Sequence, residues 1–139
     1  MEPNGTQESV QRLGEPAGRG CRLLLVDPDR PVREALGEAF RMHGFEVRAV
    51  SDLSELGGPN AVAGFDAGLV DVGRGRPAEW RGVEALRQGG IRHLAAMSVR
   101  SGVGKGREAA GLEAVWEKPL ILDEVLCWLQ RVRAKPASP

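Results

Sequence analysis

Leu23-Leu24-Leu25-Val26-Asp27-Pro28-Asp29-Arg30-Pro31-Val32 changes its hydrophobic period midway, and that change decides the fold. Leu23, Leu24, Leu25 and Val26 form an unbroken apolar run, the pattern of a strand covered on both faces. Val32, Ala35, Leu36, Ala39 and Phe40 then recur at helical spacing. The stretch reads as strand, turn, helix. Asp29 is placed to cap the helix, Pro31 suits its first turn, and Gly44 stops it after His43.

The same alternation continues downstream. Phe45, Val47 and Ala49 alternate with Glu46, Arg48 and Val50 as a second strand. Asp52 with Glu55 three positions on resembles a capping box, but Gly57-Gly58-Pro59-Asn60 makes the helix it opens short or irregular. Residues 67–70 read as a third strand, Trp80, Val83 and Leu86 as the stripe of a helix, 94–97 as a fourth strand and 114–116 as a short fifth. Between the last two, 107–112 is a weak helix flanked by glycines. Leu122, Val125, Leu126, Leu129 and Val132 mark a final amphipathic helix, with Cys127 read as packing beside that stripe. Strands alternating with helices imply right-handed crossovers, so the expected fold class is α/β, a doubly wound five-stranded parallel sheet with helices on both faces.

Composition bounds the rest. At 139 residues the chain has the length of one domain and needs no disulfide or metal staple. Residues 1–20 and 135–139 carry too little apolar material to offset ordering entropy and are expected to be tails, leaving 21–134 as the domain. Nineteen basic and 19 acidic side chains cancel, which removes a global electrostatic drive towards nucleic acid or an anionic membrane. Two cysteines, Cys21 and Cys127, stand in no metal-ligand or disulfide pattern, and no apolar run approaches a membrane span, so a cytoplasmic protein is expected.

In doubly wound sheets ligands sit outside the carboxyl ends of the strands, near the point where strand order reverses. Asp27 follows the first strand, Asp71 the third, Ser98 the fourth, and Lys118-Pro119 the fifth. Each alone is an ordinary turn residue; four on one rim are chemistry. Two carboxylates, a hydroxyl and an ammonium thus converge on one rim.

These residues resemble the signature of bacterial response-regulator receiver domains, the flavodoxin-like phosphoacceptors of two-component phosphorelays. The resemblance spans about residues 21–134. It implies that Asp71 accepts a phosphoryl group from a histidine kinase or phosphotransfer protein. It also implies that Asp27, Asp71 and the Gly73 carbonyl hold Mg²⁺, that Ser98 and Lys118 contact the phosphoryl group, and that the bond before Pro119 is cis. The implied role is signalling by protein contact with a downstream target, or as a homodimer, and not enzymatic turnover.

The departures are specific. Pro28 stands where the family commonly has a second acid, so Mg²⁺ binding should be weak, and Asp29 is either a substitute ligand or only the helix cap. Pro77 and Gly82 come later after Asp71 than in the family's loop. Val115 replaces the Tyr or Phe that reports the state of the Ser/Thr, and Trp116, one residue out of phase, should face the other side of the strand. A phosphorylation-independent pseudo-receiver that acts as an interaction module is therefore the alternative, with Pro28 the residue that separates the two.

Other motifs carry less. Ser101-Gly102-Val103-Gly104-Lys105-Gly106 lacks both the earlier Gly and the Ser/Thr of a nucleotide-binding loop. The basic run Arg74, Arg76, Arg81, Arg87, Arg92, Arg100, Lys105 and Arg107 comes without a recognition helix or stacking aromatics and reads as a solvated surface. His43 reads as a partner of a helix C-terminus and His93 as a strand-entry residue.

Overall fold

The computed structural model describes residues 20–106 and 111–135. The expectations for both tails, and for 107–110 as the body of a weak helix, lie outside these residues. Gly111 and Leu112 are turn and coil, preceded by a single 3₁₀ turn at Val103–Lys105.

Five strands, β1 (Arg22–Val26), β2 (Glu46–Val50), β3 (Ala67–Asp71), β4 (His93–Ser98) and β5 (Ala114–Glu117), form one parallel sheet in the order β2-β1-β3-β4-β5. Three helices, α1 (Arg30–Met42), α2 (Pro77–Gln88) and α3 (Leu122–Ala134), complete the doubly wound arrangement. The chain runs from β1 out to β2, then crosses to β3 on the other side of β1. The strand order therefore reverses between β1 and β3, which end at Asp27 and Asp71.

Alternation along the strands divides the core. Leu23, Leu25, Leu69, Ala95 and Met97 face α1 and α3 through Phe40, Val125, Trp128 and Leu129. Leu24, Val26, Val70, Leu94 and Ala96 face α2 through Val83 and Leu86. Every central strand is thus apolar on both sides, which is why 23–26 shows no alternation. Val115 packs on the α2 side and Trp116 on the α3 side, where its ring meets Trp128 edge-on with centroids 5.8 Å apart.

Two local expectations differ from the structure. After β2, Glu55 accepts the Ser51 backbone N–H at 3.0 Å, one residue earlier than a capping box on Asp52 demands, while Asp52 accepts from the Ser54 N–H at 2.8 Å. Tight local bonds of this kind compete with α-helix, and two 3₁₀ turns, Leu53–Leu56 and Pro59–Val62, stand where a full helix would pack. In α3 the stripe of Val125, Leu126, Leu129 and Val132 is buried and widened by Trp128 at 2% exposure, whereas Leu122 at its start is 36% exposed and Cys127, expected to pack beside the stripe, is exposed. Helix α2 starts at Pro77 behind Arg76, whose N–H is taken by Glu79 Oε1 at 2.7 Å.

His93 does more than begin a strand. Its Nδ1 lies 2.8 Å from Glu113 Oε2, and Glu113 Oε1 accepts the Trp128 indole N–H at 2.8 Å, tying β4, the entry to β5 and α3 together. Burial pushes the Glu113 carboxyl up, but Trp128 and His93 together outweigh it and hold it below its usual 4.5. Glu113→Ala should cost about 1–3 kcal/mol in a denaturant titration at neutral pH, because the Trp128 donor loses its partner inside the core. The folded-state value is depressed, so this stability is present above 4.5 and lost as the pH falls through the folded value. The gap between parent and variant should therefore narrow in acid, and a gap that stays constant with pH would contradict the pairing.

Candidate functional site

At the switch point β1 delivers Asp27, fully buried, and β3 delivers Asp71, whose side chain is 5% exposed. Lys118 comes from the end of β5, anchored by its backbone N–H on Ser98 O at 2.8 Å and followed by a cis bond to Pro119. Its Nζ donates to Asp71 Oδ2 at 2.6 Å and lies 2.9 Å from Asp27 Oδ2. The second contact has the distance of an ion pair without the angle of a hydrogen bond, so Asp27 Oδ2 is a buried oxygen with no hydrogen-bond donor. Burial raises the Asp27 pKa. Burial alone would lower that of Lys118, but the hydrogen bond to Asp71 and the close ion pair with Asp27 outweigh it and raise it, so the ammonium stays charged. Two carboxylates against one ammonium leave the cluster with one net negative charge.

Backbone groups set the remaining oxygens. Asp71 Oδ1 accepts the Gly73 N–H at 2.5 Å, and Asp27 Oδ1 accepts the Asp29 N–H at 2.9 Å. Gly73 has φ +53°, in the left-handed region that favours glycine, and it lies against the Glu79 carboxylate. The Gly73 carbonyl accepts the Val99 N–H at 2.9 Å and retains a second lone pair. Asp29 is exposed and its Oδ1 takes the Val32 N–H at 3.3 Å: its carboxylate caps α1. Pro28 is exposed and adds no oxygen but its carbonyl.

Ser98 sits on the same rim at 3% exposure, with its hydroxyl donating to Arg100 O at 3.0 Å and not towards Asp71. An open cleft of about 420 Å³ lies beside it, lined by Val103, Gly104, Val115 and Glu117 among others. A Cβ on Gly104 would come within 3.0 Å of Val115 Cβ, so the 3₁₀ turn closes over the small side chain where a ring would need room. Arg33 was not visible in the sequence as a site residue. It donates from Nη1 to Asp27 O at 2.8 Å, reaching back from the first turns of α1 as helical side chains do.

The donor set fits a hard divalent cation held loosely. The orphaned Asp27 oxygen, the Asp71 carboxylate and the Gly73 carbonyl are all oxygen ligands, and Mg²⁺ commonly takes one or two carboxylates and fills its shell with water. Among the described residues no three acidic, His or Cys side chains converge, so two carboxylates are the whole charged set. Among the described residues of the basic run, only Arg100 and Lys105 line the cleft beside Ser98. Arg74, Arg76, Arg81, Arg92, Arg100 and Lys105 are exposed, Arg87 pairs with Glu84 on α2, and Arg107 lies outside the described residues.

No protein-family profile matches the chain, and no curated protein matches it. Solved structures do. A CheY-like response-regulator receiver domain from Methylobacillus flagellatus is similar at 21% identity and TM-score 0.67, over 82% of this chain and 99% of that one. The chemotaxis protein CheY4 of Vibrio cholerae is similar at 24% identity and TM-score 0.63, over 82% and 99%. A response regulator from Burkholderia pseudomallei, solved with a phosphorylated aspartic acid and a calcium ion, is similar at 16% identity and TM-score 0.66, over 79% and 66%. The chain has the fold of a response-regulator receiver domain.

Proposed function

We propose that this receiver fold serves two-component signal transduction, with Asp71 accepting a phosphoryl group from a phosphohistidine of a histidine kinase or phosphotransfer protein. The P–N bond to imidazole breaks, a P–O bond to the Asp71 carboxylate forms, and the imidazole leaves with the bonding pair. The observation that carries the reading is the placement of Asp71 at the switch point, within 2.6 Å of the Lys118 ammonium and 2.5 Å of the Gly73 N–H. Asp27, Asp71 and the Gly73 carbonyl are the residues that would hold Mg²⁺, and the ion when bound supplies positive charge to the phosphoryl oxygens. Lys118 follows the added charge, and Ser98 turns its hydroxyl from Arg100 O to the phosphoryl group.

The chain is then a phosphoprotein that passes its state on by contact with a downstream protein, with no nucleic-acid or membrane partner, in the cytoplasm. No helix of the described residues is long and apolar enough to cross a membrane. The test is intact mass after incubation with acetyl phosphate and Mg²⁺. One added phosphoryl group supports the reading; its absence at saturating donor favours the pseudo-receiver.

Output should leave through 98–111 and not through an aromatic rotamer, because Val115 has no ring to move and the described residues between β4 and β5 carry one short 3₁₀ turn with Gly102, Gly104 and Gly106 in or beside it. Hydrogen exchange with beryllofluoride and Mg²⁺ should change protection in 98–111. Changes confined to the loop after Asp71 would leave the phosphorylated state without that route.

A further inference from the structure

On α3, Asp123, Glu124, Cys127, Gln130 and Arg131 are exposed, while Val125, Leu126, Trp128, Leu129 and Val132 are buried. At about 100° per residue, Cys127 is the centre of the outward face. Glu124 and Arg131 flank it on one side, about 4.5 Å before it and about 6 Å after it along the axis. Asp123 and Gln130 flank it on the other, about 6 Å before and about 4.5 Å after. The first half of the face is acidic and the second basic. A helix dipole favours those signs, yet on α1 and α2 charges of this kind are taken up within the chain: Arg30 pairs with Glu34, Arg87 with Glu84, and Glu79 accepts the Arg76 N–H. Asp123 and Glu124 have no side-chain partner among the described residues, and there Arg131 has only the Cys127 sulfur, to which its Nη1 donates at 3.2 Å.

We propose that two copies of the chain dimerise through α3, laid antiparallel about a twofold axis at Cys127. The axis matches each charge to a complement: Glu124 meets Arg131 of the second copy, Asp123 meets its Gln130, and every contact occurs twice. A parallel pairing would set Glu124 on Glu124 and Arg131 on Arg131, so the charges select the antiparallel one. Opposed helix dipoles favour the same choice. The occupant of this face is a second copy because the face is complementary to itself. A helix of 13 residues is about 20 Å long, which makes the contact small and the dimer reversible and salt-sensitive. The cleft beside Ser98 and the rim around Asp71 contribute no residue to it, so pairing needs neither a metal nor a phosphoryl group.

The experiment is sedimentation velocity over a range of concentrations on the full chain, on Glu124→Arg, on Arg131→Glu and on the double variant. Each single reversal sets like charges opposite one another twice and should weaken the dimer by about ten- to a hundredfold. The double variant restores the pairs with their signs exchanged and should return to within about threefold of the parent. A parent that stays monomeric, or a double variant no stronger than the single ones, overturns the proposal. Cys127 reports the axis. Diamide takes up the two electrons and two protons that a pair of thiols gives up in forming a disulfide, and in the parent it should link Cys127 to Cys127 of the second copy while the buried Cys21 stays reduced. Should a reversed charge unfold the helix, this crosslinking is followed in the parent at fixed protein concentration, where it should slow as salt is raised; a rate indifferent to salt overturns the pairing. Cys127→Ser should dimerise as the parent does, since the ion pairs and not the thiol hold the copies together, and loss of its dimer overturns that account.

Discussion

An Asp71→Asn variant should gain no phosphoryl mass from acetyl phosphate and Mg²⁺ under conditions that load the parent fully. The amide has no carboxylate lone pair with which to form an acyl phosphate, yet it is nearly isosteric and its Oδ1 can still accept from Lys118 or the Gly73 N–H. Lys118 keeps Asp27 as a partner at 2.9 Å, so the variant should fold and its loss of phosphorylation should be chemical in origin. The other acids nearby are poor substitutes. Asp27 is fully buried, and Asp29 is exposed with its carboxylate on the Val32 N–H. A variant that took up phosphate as the parent does would place the acceptor elsewhere and dismantle the reading of the rim.

The parts of the molecule legible in the sequence are those whose signal is local. A strand covered on both faces must be apolar throughout, so 23–26 announces itself, and the residue that ends such a strand marks the rim; Asp27, Asp71, Ser98 and Lys118 follow from that alone. What depends on a choice between neighbouring positions is harder to read. Cys127 and Trp128 differ by one step of about 100° around α3, and only packing against Trp116 and the donor role towards Glu113 decides which is inside. After β2, Asp52 caps a short 3₁₀ turn as its position suggests, but which backbone N–H reaches Glu55 is a choice between neighbours, and that of Ser51 does so at 3.0 Å. The sequence alone gives Asp29 two roles, and in the structure its carboxylate stands on the first turn of α1. Contacts far apart in sequence, such as Glu113 with His93, leave no periodic trace, and neither does the clasp of Arg33 on the Asp27 carbonyl.

Pro28→Asp should tighten Mg²⁺ binding by roughly one to three powers of ten, the equivalent of an added carboxylate interaction of about 1–4 kcal/mol between the watery and surface-like limits. Pro28 is exposed and lies between the buried Asp27 and the capping Asp29, so the new side chain needs no core volume and disturbs neither neighbour's hydrogen bonds. Loss of the ring's restriction on φ destabilises by about 0.4–1 kcal/mol through the unfolded chain. Without metal the variant adds a third carboxylate beside a single ammonium, so its Tm in a chelator should fall below that of the parent. With Mg²⁺ in excess of both dissociation constants the order should reverse, because ligand that binds only the folded state stabilises it in proportion to the logarithm of its saturation. Trp80, partly buried on α2 with its Nε1 about 3.4 Å from where a Gly75 Cβ would stand, sits against the loop that follows Asp71 and offers a fluorescence readout for the titration. The crossing of the two Tm values distinguishes a metal ligand from a mere surface charge, since a surface charge would shift both conditions alike. An unchanged titration would mean either that Asp29 leaves the helix cap to serve the metal or that the site is dead for another reason, and Asp29→Ala separates the two. In the first case Asp29→Ala, which loses about 1 kcal/mol of capping, would also abolish Mg²⁺ binding. If the Pro28→Asp titration is tightened, the same Asp29→Ala substitution should cost stability and leave the metal affinity where it was.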